Sequence, residues 1–380
     1  MSFPKVSVGF GTGNLLLDIP VIDAITGIIG IAATAPMQGT VFIVNNLTDA
    51  ENQGFTVANE PVFHRHISEF YAEIGGNQQL YLLGMPAATT MAAMLDYTNA
   101  NAAPLLLKAS NFTIRNLGVF KILPNGYNGG ANYIDSDVTA AVTAAGTLVA
   151  NQNANNNFLR VIIEGRVLLA NEASNVILSP STLTNGAAGI VLGGSVNDGS
   201  ASIGTALGRK AKYGAHIKVG KVLNGPLALT NAYIGSKNIL AMANLEALHD
   251  KGYISFMVHP QKAGIYFGID HMASIDDQRL WAYGCVLDKA AVIAAATFTE
   301  QIENDVDVDD NGNITDIDLL HLQDTISQQI NLAMSEQMSG DPVVTFTKSN
   351  ILNTSQLSLK LGIQPKGYTS YISITIGLNA

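Results

Sequence analysis

The stretch GIYFGIDHMASIDDQRLWAYGCVLDKAAVIAAATFTEQI, residues 264–302, decides the fold. It reads as a buried strand, a polar turn and a long helix with almost no polar face. A helix that is apolar all round must be enclosed by protein on most sides. Just ahead of it, residues 253–258 and 265–269 pair as antiparallel strands. Behind it come an acidic turn, a second helix over Asp316–Met334 and a β-rich tail. Nothing in this region has the pattern of an active site.

Working outward, apolar residues make up 47% of the 380-residue chain and charged residues only 13%, against roughly a quarter charged in ordinary soluble domains. So sparse a charge, with many Asn and Gly, suggests surface hidden by other subunits; the plainer reading is a neutral, Asn-rich globule. A net charge of −10 argues against a nucleic-acid binder, which needs a basic footprint. The single cysteine, Cys285, lies inside the apolar helix and reads as a small buried hydrophobe in a reducing compartment. Residues 1–18 lack a basic start followed by an apolar core, so no signal peptide is expected. The apolar run 19–36 is broken by Pro20, Asp23 and glycines and is too short to span a membrane.

Along the chain, residues 1–17 form a Gly-punctuated arm in which Val6 and Val8 alternate as in a strand that pairs with something. Residues 21–35 are apolar and buried. Strand 40–45, helix 61–74 and strand 79–85 make a β–α–β unit, whose strands are expected to be parallel with a right-handed crossover. Further strands are read at 115–123, 158–164 and 189–194. Helices are read at 135–150, with Asp135 or Ser136 as N-cap, at 200–212 and at 239–251. Asn224-Gly225 between apolar runs predicts a hairpin within 219–234. Residues 343–380 read as two or three strands and no helix. The last of them carries Tyr371, Ile372, Ile374 and Ile376; a terminal strand of this kind either pairs within its own fold or completes a neighbour's sheet. Alternating strands and helices define an α/β body.

Candidate chemistry is thin. The glycines of GFGTG (9–13) and Gly193-Gly194 have neither dinucleotide-binding nor phosphate-loop spacing. The seven histidines are scattered; His64 and His66 face different sides of a helix, and His259 and His271 near Asp270 have no matching nucleophile. Structural, hydrogen-bonded histidines are the favoured reading. The sharpest motif is DVDDNGNITDID, in which Asp307, Asp309, Asn311, Asn313, Thr315 and Asp318 have calcium-loop spacing. Asp318 stands where such loops usually carry Glu, as in dockerin modules. No clear helix leads in, and Asn311-Gly312 is also a strong turn dipeptide, so an acidic turn opening the following helix is favoured over bound calcium. Charge is uneven. Residues 300–341, Asp305 among them, hold eleven acids and no Lys or Arg, while residues 209–221 hold five of the twenty bases. They read either as two solvated faces or as complementary patches between subunits, with Lys218 and Lys221 setting register.

Three segments resemble contractile phage tail sheath proteins and the sheaths of related contractile injection systems. Residues 41–85 look like the early sheath segment: strand, acidic turn, aromatic helix and Gly-Gly return. Residues 203–227, IGTALGRKAKYGAHIKVGKVLNGPL, are similar to a sheath pattern of small-residue helix, basic turn and hairpin. Residues 253–334 resemble the C-terminal domain, through the strand at Ile265-Tyr266-Phe267 and the helix around Leu287-Asp288-Lys289-Ala290-Ala291. The resemblance covers about half the chain in order of parts.

It implies an α/β fold, a mixed sheet flanked by helices, with an N-terminal arm (1–17), a body (18–342) in which 97–200 could be a separate subdomain, and a C-terminal β arm (343–380). It also implies a non-enzymatic subunit that wraps an inner tail tube as a helical stack, its arms adding strands to neighbours, and that contracts to drive the tube through a target envelope. The implied partners are copies of itself, the tube, baseplate and tail terminator proteins, with no nucleic acid and no membrane insertion. No cofactor is implied. The implied location is a virion tail or contractile particle assembled in the bacterial cytoplasm. Two readings compete: an α/β enzyme with an unrecognised site, and a calcium-stabilised surface or adhesion protein.

Overall fold

Eight strands form one twisted sheet, six of them parallel, in the computed structural model, which describes residues 23–122, 130–131, 133–167, 177–243, 245–347 and 350–370. The strands are β1 (Thr26–Ile31), β2 (Val41–Val44), β3 (Leu80–Met85), β4 (Asn116–Phe120), β5 (Arg160–Gly165), β6 (Ala188–Leu192), β7 (Ile254–His259) and β8 (Lys262–Phe267). Their order is β8-β7-β6-β5-β4-β1-β3-β2. The central strands run parallel, and β8 and β2 lie antiparallel at the two edges. β1, β3, β4, β5 and β6 are buried at every position, as expected when both faces of a parallel sheet are covered.

Two expectations are corrected here. β2 and β3 are antiparallel; the parallel partner of β3 is β1, in the stretch read only as buried. The chain leaves β1, passes over β3 and returns as edge strand β2. Gly84 permits that crossing, because a Cβ there would sit 2.2 Å from the Met37 carbonyl oxygen. Nor is 97–200 a separate subdomain: it supplies β4, β5 and β6, the middle of the sheet.

Five longer helices complete the body: α1 (Pro61–Ile74), α2 (Ser136–Asn153), α3 (Ile203–Lys212), α4 (Trp281–Thr299) and α5 (Asp316–Met334). Asp135 caps α2 by accepting the Asp137 N–H, and Thr315 caps α5 by accepting that of Asp318. α1 and α3 touch backbone to backbone, where Cβ atoms on Gly204 and Gly208 would lie 2.1 Å from the His66 oxygen and 2.5 Å from the Phe70 oxygen. Over β4, the Cβ position of Gly118 is filled by Leu207.

The apolar helix read from sequence is α4. Its 19 residues are long and apolar enough to cross a bilayer, yet it is core here, and its polar groups are spent inside. Trp281 Nε1 donates to Asn116 Oδ1 on β4 at 2.8 Å. Arg160 on β5 donates through Nε and Nη2 to the two Asp288 oxygens at 2.7 Å each. Gly284 makes room for that guanidinium, since a Cβ there would be 2.8 Å from Arg160 Nε. Lys289 reaches Asp23 at 2.9 Å. Cys285 is buried beside them, and burial pushes its thiol up to about 11.

The C-terminal region corrects the expectation of strands without a helix. β9 (Val343–Thr347) and β10 (Ser358–Gly362) pair antiparallel, with the short helix Ile351–Thr354 between them. Val344 and Leu361 are buried, and Gln323 of α5 donates to the Val344 carbonyl. Beyond β10 the chain returns to the body. Tyr368 stacks on Tyr283 at 5.4 Å and its hydroxyl donates to the His216 carbonyl. Val6, Val8, Tyr371, Ile372, Ile374 and Ile376 lie outside the described residues.

Candidate assembly surfaces

Of the five bases in the run 209–221, Arg209, Lys210 and Lys218 are engaged inside the body, while Lys212 and Lys221 are exposed. Arg209 is buried and pairs with Glu73 of α1 at 3.2 Å. Lys210 is buried and donates to the carbonyls of Ala215 and Ile217. Lys218 lies 3.7 Å from the buried Asp270 carboxylate, beneath the Tyr368 ring. Reversing Lys218 would therefore strike the fold of the single chain. Lys221 is exposed and fits the expectation of a surface charge.

The Asn224-Gly225 hairpin is absent. Val222–Asn224 is instead a single 3-10 turn closed by Gly225 at φ 80°. Arg209 donates to the carbonyls of Gly225 and Pro226, and the Leu227 N–H donates to the Ile265 carbonyl on β8. The turn therefore stands out as a braced knob, with Leu223 at its tip.

The acidic turn opens α5 as read. Asp309 accepts from the N–H groups of Asn311 and Asn313, and Asp318 accepts from the Asp307 N–H and the Thr315 hydroxyl. Val308 and Ile314 form a bridge across it. These bonds close the turn with its own carboxylates. Among the described residues no group of three or more His, Cys, Asp or Glu is placed to hold a metal ion. Asp305 is exposed just before the turn.

One polar cluster was missed from sequence. Glu69 on α1 accepts from the hydroxyls of Ser195 and Ser202 at 2.6 and 2.9 Å, after β6, and lies 3.8 Å from Nδ1 of buried His66. The His66 ring rests on Phe120 at 4.5 Å, and burial holds its imidazole below the ordinary value. Ser195 and Ser202 are more than a hundred residues from Glu69, so no local spacing announces the cluster. It ties α1 to the β6–α3 turn and is sealed from solvent at His66, Glu69 and Ser202. The cavity lined by Asp23, Arg115, Ala215, Cys285, Asp288 and Lys289 holds about 10 Å3, room for a single water.

His271 gives the body a pH dependence. It sits next to Asp270, and burial, helped by Lys218, His249 and Arg279, holds its imidazole down at about 4. A histidine depressed in the fold and ordinary when unfolded contributes nothing against stability above pH 6.5 and costs stability as pH falls through that value toward 4. Between pH 7 and pH 5 this one group is expected to lower stability by about 2 kcal/mol. Denaturation at both pH values should show that loss, and His271→Gln should flatten the slope; an unchanged slope would rule the assignment out.

The comparisons fit this geometry. Chain for chain, the architecture is that of contractile tail sheath proteins. A protein in the anti-feeding prophage baseplate superposes with TM-score 0.63 at 11% identity, covering 100% of both chains. The helical sheath of the same particle in its contracted state gives 0.62 at 12%, again over 100% of both. The contracted sheath of the extracellular contractile injection system PVC gives 0.61 at 12%, over 100% of this chain and 98% of that one. The chain belongs to the DUF2586 family: the model of that family's N-terminal domain matches residues 3–271. No curated protein matches by sequence.

Proposed function

We propose that the chain is a subunit of a contractile sheath, which polymerises helically around an inner tube and shortens to drive the tube through a target envelope. The observation that carries this reading is the end-to-end correspondence with the anti-feeding prophage sheath, in which neither chain has a part left over. A role in packing rather than catalysis accords with the burial of the Glu69 cluster and with the internal pairing of Arg160, Arg209, Lys218 and Lys289. Such pairs suit a body that moves as one rigid unit while flexible connections absorb the change. The partners are further copies, the tube protein, the baseplate and the tail terminator, and the particle is assembled in the bacterial cytoplasm.

The β9–β10 pair supports the mesh of arms. Among the described residues it borders no third strand, and it is held to the body through α5 and buried Val344 and Leu361. Its open edges suit strands from the arms of neighbouring copies.

Negative-stain electron microscopy of the full chain, alone and then with a candidate tube protein, tests the proposal. Hollow ribbed tubes or stacked rings are the expected result; monomers under both conditions would overturn it. Deleting residues 371–380 should abolish tubes yet leave the monomer folded, because Tyr368 and its contacts to the body remain. Tubes from the truncated chain would remove that arm from the mechanism.

A further inference from the structure

Two surfaces of this chain are apolar, exposed and opposite in charge. The first is the knob. Leu223 at its tip is 87% exposed, the highest value among the large hydrophobic residues described. Lys221, two residues before it, is exposed. A lone exposed leucine needs no explanation. One held on a turn braced by a buried arginine, beside an exposed lysine, is a shaped feature.

The second is the outward face of α5. Ile317 is 80% exposed, Leu320 58% and Leu332 70%. Ile317 and Leu320 adjoin near the start of the helix, and exposed His321, Asp324 and Gln328 lie between them and Leu332 on the same face. The opposite stripe, Leu319, Ile326, Ile330 and Met334, is buried against the body. The segment around this face contains no Lys or Arg from residue 300 to 341. An amphipathic helix normally turns a polar face to water; this one sets two leucines and an isoleucine among His321, Asp324 and Gln328.

We infer that the Lys221–Leu223 knob of one copy docks on the outward face of α5 of the next. The occupant is a second copy because one chain supplies both halves of the match: an apolar tip beside the exposed base Lys221, and exposed Ile317 and Leu320 beside the exposed acid Asp324. The two halves are different surfaces, so the contact is heterologous. Repeated, it closes into a ring or continues as a helix, rather than stopping at a two-fold dimer. The charges set register and suppress wrong pairings, while the apolar groups supply the burial. This inference rests on the proposed polymerisation and names the contact that would direct it.

The test reverses each half and then the two charges together. Lys221→Glu with Leu223→Asp reverses the knob; Leu320→Lys with Asp324→Lys reverses the face. All four side chains are exposed, so each variant should keep the wild-type melting curve. Assembly is followed by sedimentation velocity and electron microscopy, with tube protein added if the wild type requires it. Each reversed variant should raise the concentration needed for assembly by about tenfold or more, the equivalent of 1.4 kcal/mol per contact. A combined chain carrying only Lys221→Glu and Asp324→Lys, which restores opposite charges and keeps Leu223 and Leu320, should assemble better than either of those single substitutions. Lys108→Glu, at an exposed site elsewhere, should assemble as the wild type does. Reversed variants that assemble normally, or a combined chain no better than either single substitution, would overturn this contact alone. A wild type that fails to assemble with and without tube protein would overturn it together with the proposed function.

Discussion

Asp288→Ala is expected to destabilise the monomer by about 3–5 kcal/mol, the usual cost of stranding one partner of a buried ion pair. Arg160 is 1% exposed and gives two hydrogen bonds to that carboxylate. Without it, the guanidinium is left facing the neutral Gln278 side chain and the Gly186 and Gly284 carbonyls. Domains of this kind are stable by only about 5–15 kcal/mol, so the variant should lose a large share of its midpoint in urea. The pair itself need not be a net gain over apolar packing. Arg160→Met with Asp288→Leu should therefore recover much of the loss. An alanine variant within about 1 kcal/mol of wild type would mean that the guanidinium finds water or another acid, which the burial of α4 argues against.

Gly204→Val should cost about 3 kcal/mol, at or past the top of the usual range for overpacking. The obstacle is backbone: a Cβ at this position would lie 2.1 Å from the His66 oxygen and 2.9 Å from its Cα. A side chain can swing aside, whereas α1 and α3 can only separate. Separation would also move Arg209, which braces the knob. Gly76→Ala is the control, since nothing lies within 4 Å of its Cβ position and its effect should stay within about 0.5 kcal/mol. Thermal melts of the two variants decide the matter; similar curves would show that the α1–α3 contact is slack.

Periodicity carried the reading where burial is uniform or strictly alternating. The core helix α4, the cap of α2, the extent of α5 and the β7–β8 pair were all legible from residue pattern. Strand β1, TGIIGI, was read only as buried because its two glycines blur both the helical and the strand signal. That omission assigned β3 the wrong parallel partner. The run 209–221 was misread for another reason. Charges look solvated when seen alone, and the acids that claim them, Glu73 and Asp270, lie on α1 and beyond β8. Asn224-Gly225 is a strong hairpin dipeptide, but flanking strands must be free to pair, and Arg209 holds that turn instead. The Glu69 cluster was invisible because its members meet only through the topology.

The position of Cys285 has a practical side. It is the chain's one thiol, enclosed by Asn116, Asp288 and the sheet, and burial keeps it protonated at neutral pH. Alkylating reagents attack the thiolate, so the native protein offers them no handle. A cysteine introduced at the knob or on α5 would be chemically alone. Fluorophores or cross-linkers could then be attached to the intact chain without first removing a native sulfur.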